Sequence, residues 1–93
     1  MPSALHDEDY TALVQLLKEM RKDAGITQVE LAKRLGVEQS FVSKVERQER
    51  RIDVAELRRV CVSLGITLTL FVSRFETTLA VKATENANGL RPR

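Results

Sequence analysis

The sequence predicts an all-α fold, a compact domain of five helices. Two observations support this prediction. Apolar residues recur every three or four positions through most of the chain, which is the spacing of helices with one buried face. Glycines and helix-capping residues divide these stretches into short units. A hydrophobic content of 43% in 93 residues is sufficient for the core of one small globular domain.

Composition divides the chain into three parts. Residues 1–7 are predicted to form a flexible arm, residues 8–80 the folded domain, and residues 81–93 a disordered tail. The tail prediction rests on Asn, Gly, Pro and charged residues from Lys82 onward. Within the domain, the first helix is predicted from Glu8 to Asp23.

Two capping boxes mark the starts of further helices, at Thr27–Glu30 and at Asp53–Glu56. In this motif the first side chain accepts a hydrogen bond from the backbone three residues later, and the glutamate reaches back. We predict the second helix after the first box and the fourth helix between the second box and Gly65. A third helix is predicted from about residue 38 to residue 47, followed by a basic loop at residues 47–52.

The segment after Gly65 fits two patterns. The alternating apolar residues typical of a strand are Ile66, Leu68, Leu70 and Val72. The apolar residues at helical spacing are Leu68, Phe71, Val72, Phe75 and Leu79. Because the helical pattern is longer and Thr67 is placed to cap it, we predict a fifth helix over about residues 68–79. The alternative is a dimer-forming strand over residues 66–73.

The stretch Gln28–Arg47 is the most informative part of the sequence. Ala32 permits a second helix to cross closely, and Gly36 allows the chain to leave the first helix with positive φ. Two valines three residues apart, Val42 and Val45, share one face of the second helix. Their apolar partners are Leu31, Leu35 and Val37. This joint spacing predicts a helix-turn-helix, which places one helix in the major groove of DNA. A generic helical hairpin is the alternative.

Charge supports a nucleic-acid partner by its position more than by its sum. The net charge is +2 and the sequence pI is about 9.0. Basic residues gather at the end of the third helix and in the loop behind it, namely Lys44, Arg47, Arg50 and Arg51. Such clustering is typical of phosphate binding, and a solvated charged loop is the alternative.

A helical projection assigns roles to the polar residues of the third helix. With the valines facing inward, Ser40, Ser43 and Lys44 point outward, and Gln39 lies near the helix start. Glutamine can pair with adenine, lysine with guanine, and serine with several base edges. Glu38 either accepts from cytosine or only favours the positive helix start.

Three further residues stand out around this motif. Arg21 and Glu46 lie on apolar faces, where a charge is costly unless it is paired, so each is the predicted partner of the other. Phe41 either touches a thymine methyl group or flanks the core, and we favour the core.

The motif resembles the Cro/repressor (XRE) family of helix-turn-helix regulators. The resemblance lies in Thr27-Gln28 and in the segment 40–46, SFVSKVE, and covers about residues 10–76. It implies a lambda-repressor-like domain that binds double-stranded DNA.

The resemblance also implies roles for individual residues. The base-contact positions of the family correspond to Gln39, Ser40 and Lys44, with Ser43 nearby. The resemblance further implies that Gln28 contacts phosphate and braces the reading helix. Phosphate contacts are also expected from Arg47, Arg50 and Arg51. Gln48 stands where the family often has glycine.

These observations predict a sequence-specific DNA-binding transcriptional regulator, a repressor that binds a palindromic operator as a homodimer. The predicted dimer interface is Leu68, Leu70, Phe71 and Phe75. The alternative is an antitoxin that binds a toxin partner and represses its own operon.

We expect no enzymatic activity, cofactor or metal, because no set of catalytic or metal-binding residues is recognisable. Cys61, the single cysteine, is predicted to be a core residue. No apolar run reaches the length of a membrane span, and we expect a cytoplasmic protein.

Overall fold

The computed structural model describes the backbone of residues 7–89 and the side chains of residues 7–85. This part of the chain forms five α-helices and no strand, which confirms the predicted all-α fold. The helices are α1 (Glu8–Asp23), α2 (Gln28–Leu35), α3 (Gln39–Glu46), α4 (Val54–Ser63) and α5 (Leu68–Gly89). The first four helices begin and end within two residues of their predicted bounds.

Side-chain caps explain where most of these helices begin. The Thr27 hydroxyl accepts from the Glu30 backbone N–H at 3.0 Å, but the Glu30 carboxylate pairs with Arg34, so the predicted box at α2 is only half formed. At α4 the box is complete. Asp53 Oδ1 accepts from the Glu56 backbone N–H at 2.7 Å, and Glu56 Oε1 accepts from the Asp53 backbone N–H at 3.0 Å.

The core is formed where the apolar faces of all five helices meet. Its buried members are Leu16, Leu17, Met20, Ile26, Leu31, Ala32, Val42, Leu57, Val60, Cys61, Leu64 and Phe71. Cys61 is fully buried, as predicted, and burial raises the pKa of its thiol. Val37 differs from the prediction, because 39% of this residue is exposed at the turn between α2 and α3.

The fifth helix corrects the predicted end of the fold. The strand over residues 66–73 is wrong, because α5 begins at Leu68. The helix also extends ten residues beyond the predicted end at Leu79, so residues 81–89 continue it rather than form the start of a disordered tail. Extending an existing helix is much easier than starting one, and this stretch contains alanine and lysine, which favour helices. Of the predicted arm, residues 1–7, the structure describes only Asp7, whose side chain caps α1. Residues 1–6 and the last residues, 90–93, lie outside the described residues.

The predicted dimer interface on α5 divides into buried and exposed residues. Phe71 is fully buried in the core of its own chain, because it lies on the face that packs against α1 and α4. Its assignment to a dimer interface is therefore wrong. Leu68 and Phe75 are partly buried against the same core, whereas Leu70 is 46% exposed. Val72 is exposed as well, at 41%, but it lies two residues from Leu70 and therefore on a different side of α5.

The helix lengths and compositions also bear on membrane insertion. Across residues 7–89, no single helix is both long and apolar enough to cross a membrane. Only α4 and α5 taken together reach the required length and composition, and they are bent by 106° at the break between them.

Candidate nucleic-acid interface

The turn between α2 and α3 fixes how the two helices of the motif cross. Gly36 has φ of 71°, the left-handed conformation that glycine adopts without a steric penalty, and its backbone N–H bonds back to the last turn of α2. Ala32, Val42 and Val45 are each only 3% exposed, so the two helices meet through small and branched side chains. The opposite surface of α3 is thereby directed to solvent.

Four polar residues form this outer surface of α3, which we call the reading face: Gln39, Ser40, Ser43 and Lys44. Three of them are exposed, and Ser43 is half-buried. The Ser43 hydroxyl donates to the Ser40 carbonyl at 3.3 Å. Ser40 and Lys44 lie one turn apart and therefore on the same side. The structure thus brings the four predicted base-contact residues together on one accessible surface.

A chain of hydrogen bonds connects the protein core to the reading face. Arg21 Nε donates to Glu46 Oε2 at 2.6 Å, and Arg21 Nη2 donates to Glu46 Oε1 at 3.0 Å. Gln28 Nε2 donates to the same Glu46 Oε1 at 2.9 Å. Gln39 Nε2 donates in turn to Gln28 Oε1 at 2.9 Å. The predicted ion pair therefore forms, and it positions two residues of the predicted DNA surface.

The ion pair at the start of this chain is shielded from water. The side chains of Arg21 and Glu46 are 8% and 4% exposed. Arg21 Nη1 also donates to the Ile26 carbonyl at 2.7 Å. Burial on its own raises the pKa of Glu46, but hydrogen bonds from Arg21 and Gln28 outweigh burial and hold the pKa below its ordinary value. Glu46 is consequently ionised at neutral pH and accepts from both partners.

Two arginines of the basic loop are engaged by carboxylates of the same chain. Arg47 Nε lies 3.0 Å from Glu49 Oε2, and this contact lowers the pKa of Glu49. Arg50 donates through both terminal nitrogens to Glu56 at 2.9 Å, and its guanidinium stacks over the Phe41 ring at 4.4 Å. A phosphate contact by either arginine must compete with these bonds.

The remaining aromatic contacts link the basic loop to α1. The Arg51 guanidinium lies 4.1 Å from the centre of the Tyr10 ring. Tyr10 in turn accepts a hydrogen bond at its hydroxyl from the Ile52 backbone N–H at 3.1 Å. Phe41 is half-buried and packs against the core, the role favoured from the sequence.

Gln48 shows how the loop forms without the glycine expected at this position. Its φ is 63°, the only positive φ of a non-glycine residue in the part of the chain that the structure describes. This conformation costs about 1 kcal/mol for a residue with a side chain. Its backbone N–H donates to the Val45 carbonyl at 2.9 Å, and Thr11 donates from its hydroxyl to Gln48 Oε1 at 3.0 Å. These contacts hold the left-handed turn in place.

Comparison with known proteins agrees with this geometry. A family model described as helix-turn-helix matches residues 17–71, more than half of the chain. A solved structure of an XRE-family like protein from Pseudomonas syringae pv. tomato is 47% identical, with a TM-score of 0.75 over 82% of this chain and 93% of that one. The chain belongs to the XRE family of helix-turn-helix transcriptional regulators.

Two further relatives place this XRE-family chain among regulators. The clp gene regulator ClgR from Corynebacterium glutamicum has a TM-score of 0.74 and 26% identity, covering 87% of this chain and 86% of that one. The transcriptional regulator RamB from Mycobacterium tuberculosis is 29% identical over 69 residues, which is 74% of this chain. The chain spans only 15% of the length of RamB. The shared unit is thus the DNA-binding domain of the family.

Proposed function

We propose that this XRE-family regulator is a repressor that binds a palindromic operator as a homodimer. The observation that carries the proposal is the reading face, whose Gln39 is fixed through Gln28 and Glu46 to the buried Arg21. A side chain held in one position before binding loses little conformational freedom when it meets a base. Such preorganisation suits sequence recognition better than general attraction to phosphate.

The reading face has the groups needed to distinguish base pairs in the major groove. Gln39 uses one N–H for Gln28, which leaves its second N–H and its amide oxygen for the bidentate contact with adenine. Lys44 is exposed and can donate to guanine O6 or N7. Gln28 and Arg47 remain the proposed phosphate contacts at the edges of this surface, whereas Arg50 is better explained as a tie between the loop and α4.

Selection from a random pool of double-stranded DNA tests sequence recognition directly. We expect the full chain to enrich one motif with two inverted halves whose centres lie about one turn of DNA apart, roughly 34 Å. A reporter gene placed behind the selected operator then tests the direction of regulation, and repression is the expected result. Enrichment of unrelated sequences in repeated selections would contradict specific recognition.

Lys44→Ala and Gln39→Ala are expected to weaken binding to the selected operator by about 1–3 kcal/mol each and to relax the preference at a defined base pair. The reason is that each loses hydrogen bonds to one base edge. Arg47→Ala is the control, because loss of a phosphate contact weakens binding to all sequences alike. Fluorescence anisotropy with single-base operator variants measures both effects. An equal loss on every operator variant for Lys44→Ala would refute its assignment to base contact.

Leu70→Glu is expected to dissociate the homodimer and to lower operator affinity without altering base preference. Leu70 is an exposed apolar residue on α5, and a charge there opposes burial against a second copy. Sedimentation at protein concentrations on the order of tens of micromolar measures the change in mass. Val62→Glu on α4, also at an exposed valine, is the matched control and should leave the dimer intact. A monomeric wild-type protein would contradict the interface.

The antitoxin alternative loses the feature that favoured it. Besides the family resemblance, it drew on a dimer-forming strand over residues 66–73, where α5 is helical, and on a flexible tail, of which residues 81–89 are helical. The repressor proposal depends on neither feature. A cytoplasmic location remains a prediction of that proposal.

A further inference from the structure

Glu38 is the residue around the reading face whose presence the fold explains least. It occupies the N-cap position of α3, yet its side chain makes no capping hydrogen bond. Glutamate is not among the residues preferred at this position, which are Ser, Thr, Asp and Asn. The other four helices all have such a residue with a capping bond, namely Asp7, Thr27, Asp53 and Thr67. Helix formation therefore gains little from a glutamate at position 38.

Ion pairing does not explain Glu38 either. Between Gln28 and Glu56 the chain contains five other acidic residues. Asp53 caps α4, and the remaining four each pair with an arginine: Glu30 with Arg34, Glu46 with Arg21, Glu49 with Arg47, and Glu56 with Arg50. Glu38 has no such partner among residues 7–85, and it is exposed. Its carboxylate is available to a group outside the chain.

The position of Glu38 indicates what that group is. It directly precedes Gln39, which Gln28 holds in place, and it lies at the end of α3 that enters the major groove in this motif. The positive end of the α3 dipole offsets part of the repulsion between this carboxylate and the phosphates. A carboxylate only accepts hydrogen bonds, and cytosine presents a single donor, N4, on its major-groove edge. Adenine also donates, from N6, but it presents an acceptor, N7, beside this donor. A carboxylate has no hydrogen to donate to N7.

We propose that Glu38 is a specificity-determining residue that accepts a hydrogen bond from cytosine N4, next to the base pair read by Gln39. This inference rests on the proposed function, since it requires that α3 reads a defined DNA sequence. It adds a carboxylate to the four polar residues of the reading face. Each operator half-site then contains a required cytosine beside the position at which Gln39→Ala relaxes the preference.

Selection from a random pool of double-stranded DNA with wild type and Glu38→Gln tests the proposal. The amide of glutamine is nearly the same size as the carboxylate but pairs best with adenine. We expect wild type to enrich cytosine at the neighbouring position and Glu38→Gln to lose that enrichment in favour of adenine. On the wild-type operator, the preference for cytosine over the other bases should fall on the order of tenfold.

Glu19→Gln is the matched control, because it removes one negative charge from an exposed position on α1. Both variants should bind phosphate somewhat better, but only Glu38→Gln should alter base preference. If Glu38→Gln enriches the wild-type motif unchanged, the inference is wrong while the proposed function stands. If wild type enriches a motif without cytosine at this position, the inference is likewise wrong. If wild type enriches no motif, the inference and the proposed function both fail.

Discussion

Arg21→Ala is expected to lower the free energy of unfolding by about 3–5 kcal/mol, the cost of leaving a buried charge without its partner. Glu46 would keep its charge in a site where its side chain is only 4% exposed, with one hydrogen bond remaining from Gln28. Chemical denaturation at neutral pH measures the loss. Glu30→Gln is the control, because its ion pair with Arg34 is nearly half exposed and contributes only tenths of a kcal/mol.

The same pair can be tested as a coupled unit. Both residues can be replaced with apolar ones, as in Arg21→Met with Glu46→Leu. This double change should cost less than the sum of the two single changes, because it leaves no buried charge without a partner. Additive losses would show that the two side chains do not interact in solution. Such a result would also remove the physical basis for a fixed Gln28 and Gln39.

The pH dependence of stability follows from the lowered pKa of Glu46. A carboxyl group with a lower pKa in the folded state stabilises the protein above its unfolded pKa, and this contribution disappears as the pH falls through the folded pKa. Arg21→Ala removes the main cause of the lowering while burial still raises the pKa. The variant should therefore lack this acid-dependent loss at Glu46, and the stability difference between wild type and Arg21→Ala should narrow as both are titrated into acid.

Phe71→Ala is expected to lower the free energy of unfolding by about 3–5 kcal/mol, because it removes a fully buried aromatic ring and leaves a cavity among α1, α4 and α5. Val72→Ala, at the next residue of the same helix, is the control. That valine is 41% exposed, so its loss should change stability by less than about 0.5 kcal/mol. Thermal and denaturant unfolding give both values.

This comparison separates two roles that the sequence could not separate on α5. If Phe71 were an interface residue, its removal would weaken the dimer, and unfolding would depend less on protein concentration. A core residue lowers stability equally at every concentration. The structure favours the second result. Similar small losses for Phe71→Ala and Val72→Ala would contradict the burial of this ring.

The features that could be predicted from the sequence are those that depend on helical periodicity and local capping. The bounds of α1 and the cap at Asp53 follow from residues three or four positions apart, which have one geometry in any helix. The pairing of Arg21 with Glu46 was also predictable, because two charges on apolar faces need each other. The reading face followed from the inward positions of Val42 and Val45.

The contacts of the basic loop could not be predicted in the same way. Arg50 meets Glu56 six residues later, and this approach depends on the left-handed turn at Gln48 rather than on a repeating geometry. A glutamine in that conformation gives no local signal, unlike Gly36. That Phe71 is buried while Leu70 is exposed depends on the angle at which α5 packs on the other helices, which the sequence does not show. Composition also did not reveal where α5 ends.

Under the proposed function, the ion pairs of the basic loop also affect how the protein searches for its operator. A phosphate that takes the place of Glu49 at Arg47, or of Glu56 at Arg50, frees a carboxylate, which then attracts a cation from solution. This exchange releases fewer counterions than the binding of a phosphate by an unpaired cation. For an unpaired cation, the logarithm of the affinity falls by about 0.9 per phosphate for each tenfold rise in salt concentration. Random DNA offers phosphates without matching base edges, so it should retain the protein only briefly. The protein would then reach its operator mainly by diffusion through solution rather than by sliding along the duplex.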